Sequence, residues 1–493
     1  MTGSALRYFG TSGIRGRTFI DITPEFALKM AQAYSIVIKQ AVSSPVIVVG
    51  RDPRYGAETL EHAIIAGLTV MGVSVIRCGV VPTPVLLTYQ RSVNANGGII
   101  VTGSHIPPDR IGLIFLESDG AYCSDVNARQ IEDEYERIKN QYTSLEVKGL
   151  QDLSYTGKVT EAPEVWDVYS RTLGQHVDLA RLRQINLRVC VDPGNGTASS
   201  FFTSFLRSLG LDVLGLHDSI QPVSERLSEP IDTNLSRLKR LVTNATELGV
   251  AFDLDADRVN FVIPGAPMGT VVPAVQVGAV LLNSILQKGY RGDVILPVNT
   301  SMLLEAILKR YSITPIYCRI GQPGTIEAVK KLKHPLFALE ESGKFYFLNR
   351  GLLWTDGILT ALKVVELISE EGKPFTQILH TSLGDLMEYT TLNTSIQVAD
   401  HYRGVIGKKF ADFVQSRTLK GEANRFDLDG IRINFQNKSW LLLRPSGTEP
   451  KIRIVADARN AADANELLQQ GKNLVLEFLK LNNLGGKNSE TKQ

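Results

Sequence analysis

The sequence predicts an α/β protein of three similar α/β sandwich domains plus a different C-terminal α+β domain around a central cleft. Three observations predict it. The chain has 493 residues, too many for one core at roughly 100–200 residues per domain. A strand–helix–strand pattern recurs three times along it, and that pattern stops near Gly384.

In the first repeat, β-branched runs at Val46–Arg51, Val73–Arg77 and Gly98–Thr102 read as strands. Their counterparts in the second are Leu187–Asp192, Leu211–Leu216 and Val250–Asp253, and in the third Asp293–Val298, Ile313–Cys318 and Pro335–Leu339. The amphipathic stretches Gly56–Met71, Thr197–Leu209 and Ser301–Tyr311 are long enough to be crossover helices of βαβ units. The expected domains span residues 1–160, 161–265 and 266–383, and Asn140–Pro163, which lacks periodicity, reads as the linker leaving the first. A fourth domain at 384–483 is expected to hold a hairpin, Phe426–Phe435 with Ser439–Leu443, around Gln436-Asn437-Lys438. A last helix runs from Ala461 to near Leu481, and the polar residues 484–493 form a disordered tail.

Composition narrows the function. The chain is 43% hydrophobic and 21% charged, which fits a packed globular body and excludes disordered and fibrous classes. Its net charge of +2, with no long basic run, gives no basis for nucleic acid or an anionic membrane as partner. Cys78, Cys123, Cys190 and Cys318 are scattered without a Cys-x-x-Cys pair, so neither a zinc site nor a disulfide framework is expected. The start of the sequence has no apolar signal core and no stretch reaches the ~18 apolar residues of a membrane span. A cytoplasmic location with reduced thiols is expected, and nothing in the sequence sets an oligomeric state.

The third strand of each repeat runs into a polar loop: Thr102-Gly-Ser-His105, Asp253-Leu-Asp-Ala-Asp-Arg258 and Glu340-Glu-Ser-Gly-Lys344. Ligands of open α/β sheets gather beyond the carboxyl ends of strands, so three such loops point to one composite site. Asp253, Asp255 and Asp257 would crowd three negative charges unless a cation neutralises them. Oxygen-only ligands favour Mg²⁺ over Zn²⁺. An EF-hand is excluded, because Arg258 and Pro264 stand where its Gly and Glu are required.

Ser104 follows an apolar strand and precedes Pro107-Pro108, which stiffen the exit and hold the hydroxyl on a corner, with His105 as a candidate base. Arg444-Pro-Ser446-Gly447-Thr448, with Lys451 and Arg453, combines a guanidinium fork, hydroxyls and a turn that exposes N–H groups, the composition of a phosphate clamp. Phe9-Gly-Thr-Ser-Gly-Ile-Arg-Gly16 has similar ingredients, and Ser12 and Arg15 are placed in the cleft. Glu340 and Ser342 offer the acceptor and donor that paired sugar hydroxyls need. Neither a Walker A pattern nor Gly-x-Gly-x-x-Gly occurs, so ATP and NAD are not expected. Singly, each loop has a plain structural alternative: a solvated acidic turn, an ordinary loop serine, a hairpin exit or a glycine-rich connection.

Together and in this order, Phe9–Gly16, Thr102–Pro107, Asp253–Arg258, Glu340–Gly343 and Arg444–Pro450 resemble the α-D-phosphohexomutase family over nearly the whole chain. The resemblance implies that Ser104 carries a phosphoryl group, with His105 and Arg258 beside it as catalytic residues. It implies that Asp253, Asp255 and Asp257 hold Mg²⁺ against that group, Ser104 completing the metal site. Glu340 and Ser342 would contact the sugar, and Arg444, Ser446, Gly447, Thr448 and Arg453 its phosphate. The implied reaction interconverts hexose 1- and 6-phosphates of glucose or mannose through a hexose 1,6-bisphosphate, which also acts as activator. A phosphoglucosamine mutase and a low-activity sugar-phosphate-binding homologue are the alternatives.

The sequence departs from the family pattern at several places. Ile111-Gly-Leu-Ile114 replaces Asn-Gly-x-Lys, and so lacks the lysine expected to help with proton transfer or charge. Leu254 replaces a glycine between the first two aspartates, Leu339 one before the sugar loop, and Lys344 stands where Gly or His is usual.

Overall fold

The computed structural model describes residues 6–10, 13–140, 156–199, 201–244, 247–398, 406–446 and 450–482. Ser12, Gly447, Thr448, residues 484–493 and most of the expected linker lie outside the described residues. The chain divides into two compact units, Met1–Ala274 with Ser342–Ile378, and Val275–Glu341 with Leu379–Gln493.

The first unit holds two mixed sheets. One runs in the order Phe9–Gly10, Gly13–Arg17, Arg110–Leu116, Gly97–Val101, Val46–Arg51, Ser74–Val80, Val159–Glu161. Its strand Val46–Arg51 is apolar on both faces, and Ile47, Val48 and Val49 are fully buried, as a parallel strand covered on both sides requires. Helix Pro24–Lys39 starts at Thr23, whose hydroxyl accepts from Phe26 N–H, with Pro24 in the first turn, where a missing N–H costs nothing. It buries Met30 and Ala31, and helix Ala57–Val70 buries Leu60, Ile64 and Leu68, in one core with Ile47, Ile99 and Phe115. The other sheet runs Thr270–Val272, Val259–Ile263, Glu247–Phe252, Arg188–Asp192, Asp212–Gly215.

The two sheets share a construction. Gly97–Val101 lies parallel to Val46–Arg51, then the chain reverses and returns as antiparallel Arg110–Leu116. Glu247–Phe252 lies parallel to Arg188–Asp192, then the chain reverses and returns as antiparallel Val259–Ile263. The serine loop and the acid loop are these two reversals.

The second unit contains the parallel strands Ile316–Cys318, Asp293–Pro297 and Pro335–Glu340, in that order. It also contains an antiparallel sheet in the order Thr390–Gln397, Lys451–Ala458, Trp440–Pro445, Ile431–Phe435, Glu422–Phe426. Helix Ala461–Leu481 starts at Asn460, whose side chain accepts from Asp463 N–H, and buries Leu468, Val475 and Phe478 in the core of that sheet. Arg432 is buried against the rings of Tyr317, Phe426 and Trp440 and donates to Val298 O at 3.0 Å.

Two expectations are corrected. Phe426–Phe435 is not one strand: Glu422–Phe426 and Ile431–Phe435 are antiparallel neighbours across an Asp427–Gly430 turn, whose Asp-Gly pair ends the first. The segment taken as linker contains a strand, Val159–Glu161, paired parallel to Ser74–Val80 at the sheet edge. It has three residues, all exposed, and therefore no apolar period to read. No helix of the described residues is long and apolar enough to cross a membrane.

Candidate active site

Ser104 stands at a strained corner. Its φ is +48°, a left-handed conformation that costs a non-glycine residue about 1–3 kcal/mol and persists only where neighbours hold it. The neighbours are Asp52 and Arg54, directly after the strand Val46–Arg51. Asp52 Oδ2 accepts from Gly103 N–H, Thr102 Oγ1–H and Arg54 Nε, each at 2.9 Å. Thr102 Oγ1 in turn accepts from Ser104 N–H at 2.8 Å. Arg54 donates from Nη2 to Ser104 O at 3.0 Å and from Nη1 to Arg110 O at 2.6 Å. Both side chains are buried, so these charge-assisted bonds act away from water.

The acid loop has its own left-handed corner at Ala256, φ +54°. Asp253, Asp255 and Asp257 are buried and place one carboxylate oxygen each within 4.8 Å of one another. Ser104 Oγ–H donates to Asp253 Oδ2 at 2.7 Å, which joins the two loops. Thr83 Oγ1–H donates to Asp255 Oδ2 at 2.8 Å, Arg258 N–H to Asp253 Oδ1 at 3.2 Å, and Lys344 Nζ to Asp257 Oδ2 at 2.5 Å. Asp255 Oδ1 and Asp257 Oδ1 are buried without a hydrogen-bond partner among the described residues. Burial and the neighbouring aspartates push Asp253 well above the carboxylate range, and burial followed by Asp257 pushes Asp255 up to about 6. A hard cation would relieve both costs, and oxygen ligands with unused lone pairs are the donor set Mg²⁺ takes. The residues present fit it.

Cations surround the acids. Arg258 Nη1 pairs with Glu229 at 3.2 Å, while its Nε lies 3.7 Å from Asp253. Arg15, on the strand Gly13–Arg17, has its pKa lowered by burial and by Arg258. His105 Nδ1 is 3.2 Å from Ser104 Oγ. Burial, then Arg258, Arg15, Lys344 and Arg54, push His105 down to about 2, which disfavours its protonated form. In the sugar loop Ser342 Oγ is buried with no partner among the described residues, beside Gly343 with φ +86°.

In the second unit, Glu340 ends its strand. Glu341 is pushed up to about 7 by burial and by Asp457, and its carboxyl accepts from Ser301 N–H at 3.1 Å. Arg444 and Arg453 sit directly opposite each other on adjacent antiparallel strands. Like charges in that register repel unless an anion lies between them. Asp429 Oδ1 accepts from Arg444 Nε at 2.7 Å while its Oδ2 accepts from Ile320 N–H at 2.9 Å, which orients the guanidinium. Ser446 N–H donates to Lys451 O at 2.9 Å.

The first unit thus brings Ser104, His105, Arg15, Arg258 and the three aspartates together, and the second pairs Arg444 with Arg453. Sequence reasoning missed Asp52, Arg54, Thr83, Glu229 and Asp429. Asp52 and Arg54 carried a signal, because Arg51-Asp-Pro-Arg54 is also a polar loop at the carboxyl end of a strand. Thr83 and Glu229 act across long sequence separations and carried none.

Family models of phosphoglucomutase/phosphomannomutase match in chain order: α/β/α domain I at residues 6–142, domain II at 167–265, domain III at 274–385 and the C-terminal domain at 404–472. A relative named phosphoglucomutase/phosphomannomutase from Thermococcus kodakarensis is 30% identical over 96% of this chain and 99% of its own. One named probable phosphoglucosamine mutase, from Methanocella arvoryzae, is 32% identical over 95% of this chain and 97% of its own. The solved structure of a phosphoglucomutase/phosphomannomutase family protein from Burkholderia thailandensis superposes with a TM-score of 0.77 at 20% identity, covering 97% of this chain and 98% of that one. With all four domain models matched in sequence and the serine and acid loops meeting at 2.7 Å, the chain belongs to the phosphoglucomutase/phosphomannomutase family of phosphohexomutases.

Proposed function

We propose that this chain interconverts the 1- and 6-phosphates of glucose or mannose by way of a phosphoserine at Ser104 and a bound hexose 1,6-bisphosphate. The observation that carries the proposal is the contact between the Ser104 hydroxyl, on a strained corner, and Asp253 of a buried acid triad with two unpartnered oxygens. An ordinary loop serine has no reason to be held at positive φ by a buried Asp–Arg pair and aimed into carboxylates.

When bound, Mg²⁺ would be held by Asp253, Asp255 and Asp257 and would draw charge from the phosphoryl oxygens. The phosphorus–Oγ bond of phosphoserine breaks as phosphorus bonds to a sugar hydroxyl oxygen. The hydroxyl proton ends on Ser104 Oγ, and His105 Nδ1, 3.2 Å from that oxygen, orients it by hydrogen bonding. Arg258 and Arg15 offset charge on the transferring group. On this reading Glu340 and Ser342 hold the sugar hydroxyls, while Arg444, Ser446, Gly447, Thr448 and Arg453 grip the phosphate that does not react. After the bisphosphate turns over in the site, Ser104 takes back the phosphoryl from its other end.

The test is turnover. Purified protein with Mg²⁺ and a trace of glucose 1,6-bisphosphate is given glucose, mannose or glucosamine 6-phosphate, and 1-to-6 interconversion is followed. Turnover of glucose or mannose phosphate supports the proposal, and no turnover on any substrate overturns it. Preference for glucosamine phosphate would select the second reading, which the names of several relatives favour.

A further inference from the structure

Two departures from the family pattern bear on the same phosphoryl group. Ile114 replaces the lysine expected after the serine loop, and it is an apolar strand residue only 3% exposed, paired with Ile100. No charge can come from there. Lys344 replaces Gly or His after the sugar loop, and its Nζ lies 2.5 Å from Asp257 Oδ2 with the residue 5% exposed.

The position of Lys344 is fixed from both sides. Gly343 O accepts from Val259 N–H at 3.0 Å, which ties the sugar-loop backbone to the strand leaving the acid loop. Phe345 and Tyr346, next along the strand, are buried.

Removing an ammonium and a carboxylate from water costs several kcal/mol per ion, and such a pair often returns no net stability. Asp257 keeps a second oxygen, Oδ1, that accepts no hydrogen bond among the described residues and lies 4.0 Å from Arg258 Nε. A buried cation among metal-ligand candidates is better explained by what comes to the site, a phosphoryl group whose equatorial oxygens need positive charge.

We propose that Lys344 is a catalytic residue, the fixed positive charge that the serine loop lacks at Ile114, supplied in this chain by the third repeat. Its ammonium lies on Asp257 Oδ2 and would offer its charge to the oxygens of the phosphoryl group passing between Ser104 and the sugar. This rests on the phosphoserine reading above. Lys344 and a divalent cation held by the same carboxylate would compete for Asp257, and both would place positive charge beside the transferring group.

The test uses the full chain and its Lys344→Met and Lys344→Arg variants. Intact mass measures charging of Ser104 by glucose 1,6-bisphosphate, rapid quench measures discharge to hexose 6-phosphate, and calorimetry measures Mg²⁺ binding to the unphosphorylated protein. Lys344→Met is expected to slow discharge about 100-fold, the usual effect of losing one transition-state donor, with KM within about 3-fold. The same variant should bind Mg²⁺ about 10-fold more tightly, since a competing cation has gone. Lys344→Arg should recover most of the discharge rate, which a merely structural role would not explain. Wild-type discharge or wild-type Mg²⁺ affinity in Lys344→Met overturns the proposal. If Lys344→Met does not fold, Lys344→Gln is read by the same criteria. A wild-type protein that can never be charged overturns the phosphoserine reading instead, so the two failures are distinguishable.

Discussion

Replacing Gly103 with alanine tests whether the Asp52–Arg54 pair sets the serine corner. A Cβ at Gly103 would stand 1.8 Å from Arg54 Nη1 and 2.1 Å from its Cζ, and the guanidinium is hemmed in by its bonds to Asp52, Ser104 O and Arg110 O. Arg54 must therefore swing away. Asp52 then keeps its bonds to Gly103 and Thr102 but loses its cation, and Ser104 O loses its donor. Breaking a buried charge pair from one side costs about 3–5 kcal/mol. Part of that is lost stability, and part appears as freedom of Ser104, whose left-handed corner is worth about 1–3 kcal/mol of strain and relaxes once unclamped. A relaxation of 2–3 kcal/mol converts to roughly 30–150-fold in the rate of phosphoryl transfer. The assay is kcat and KM for hexose phosphate interconversion, with a chemical denaturation curve for each variant. The expected result is a fall in kcat of that size with KM nearly unchanged, and Arg54→Met should act non-additively with it. Activity within about 3-fold of wild type in a folded Gly103→Ala protein would refute the clamp.

Three further outcomes follow from the same geometry. Thr83→Val removes the hydroxyl that donates to Asp255 Oδ2 and leaves a second oxygen of that carboxylate unpartnered; the loss of one such bond, about 1 kcal/mol, should weaken Mg²⁺ binding several-fold in calorimetry. Asp429→Ala frees Arg444 and strands Ile320 N–H; KM for hexose phosphate should rise about 10-fold with the Ser104 charge state unchanged by intact mass. Asp356 caps the helix Gly357–Glu371, accepts from Tyr169 Oη–H at 2.8 Å, and is pushed up to about 6 by burial. A raised acid is protonated more in the folded than in the unfolded chain, so its contribution to stability is largest near pH 4 and falls as pH rises through 6, by of the order of 2–3 kcal/mol. Asp356→Asn keeps an acceptor for the cap and for Tyr169 without the buried charge, so the denaturation midpoint should rise at pH 7.5 and its fall between pH 4 and 6 should flatten.

The sheets were legible because their strands obey a local rule. Val46–Arg51 and Asp293–Pro297 are apolar runs buried on both faces, and helix Ala461–Leu481 shows its period plainly and starts at an Asn cap. The loops were legible because strand ends are where an α/β sheet puts its ligands, and Ser104, Asp253 and Glu340 each follow or close a third strand. What sequence could not show was pairing. Val159–Glu161 is a strand because Ser74–Val80 offers it an edge, and the Asp427–Gly430 turn divides a stretch that read as one strand. Thr83 acquires its meaning from Asp255, 172 positions away. Lys344 looked like a departure from a motif until its ammonium was found on Asp257.

The two sheets of the first unit solve one mechanical problem twice. In each of the two loops that reverse a parallel strand into an antiparallel one, a non-glycine residue, Ser104 or Ala256, takes a left-handed conformation. Each loop is therefore held from behind by an aspartate at the end of the adjacent first strand, paired with an arginine that reaches over to a backbone carbonyl. Asp52 holds Arg54, which donates to Ser104 O; Asp192 holds Arg226 at 3.0 Å, which donates to Phe252 O at 2.5 Å, one residue before Asp253. Arg54 and Arg226 touch neither the hydroxyl nor the acid triad in any of these bonds, yet between them they fix where the two loops present their side chains. Two buried ion pairs, one in each repeat, thus back the loops whose side chains meet at 2.7 Å between Ser104 Oγ and Asp253 Oδ2. Arg226→Met should accordingly weaken Mg²⁺ affinity more than Arg54→Met does, because Arg226 backs the residue before Asp253, whereas Arg54→Met should act mainly on charging of Ser104. Calorimetry and intact mass on the two variants separate these outcomes, and equal loss of both properties in both variants would mean that the loops fold as one piece rather than on two independent clamps.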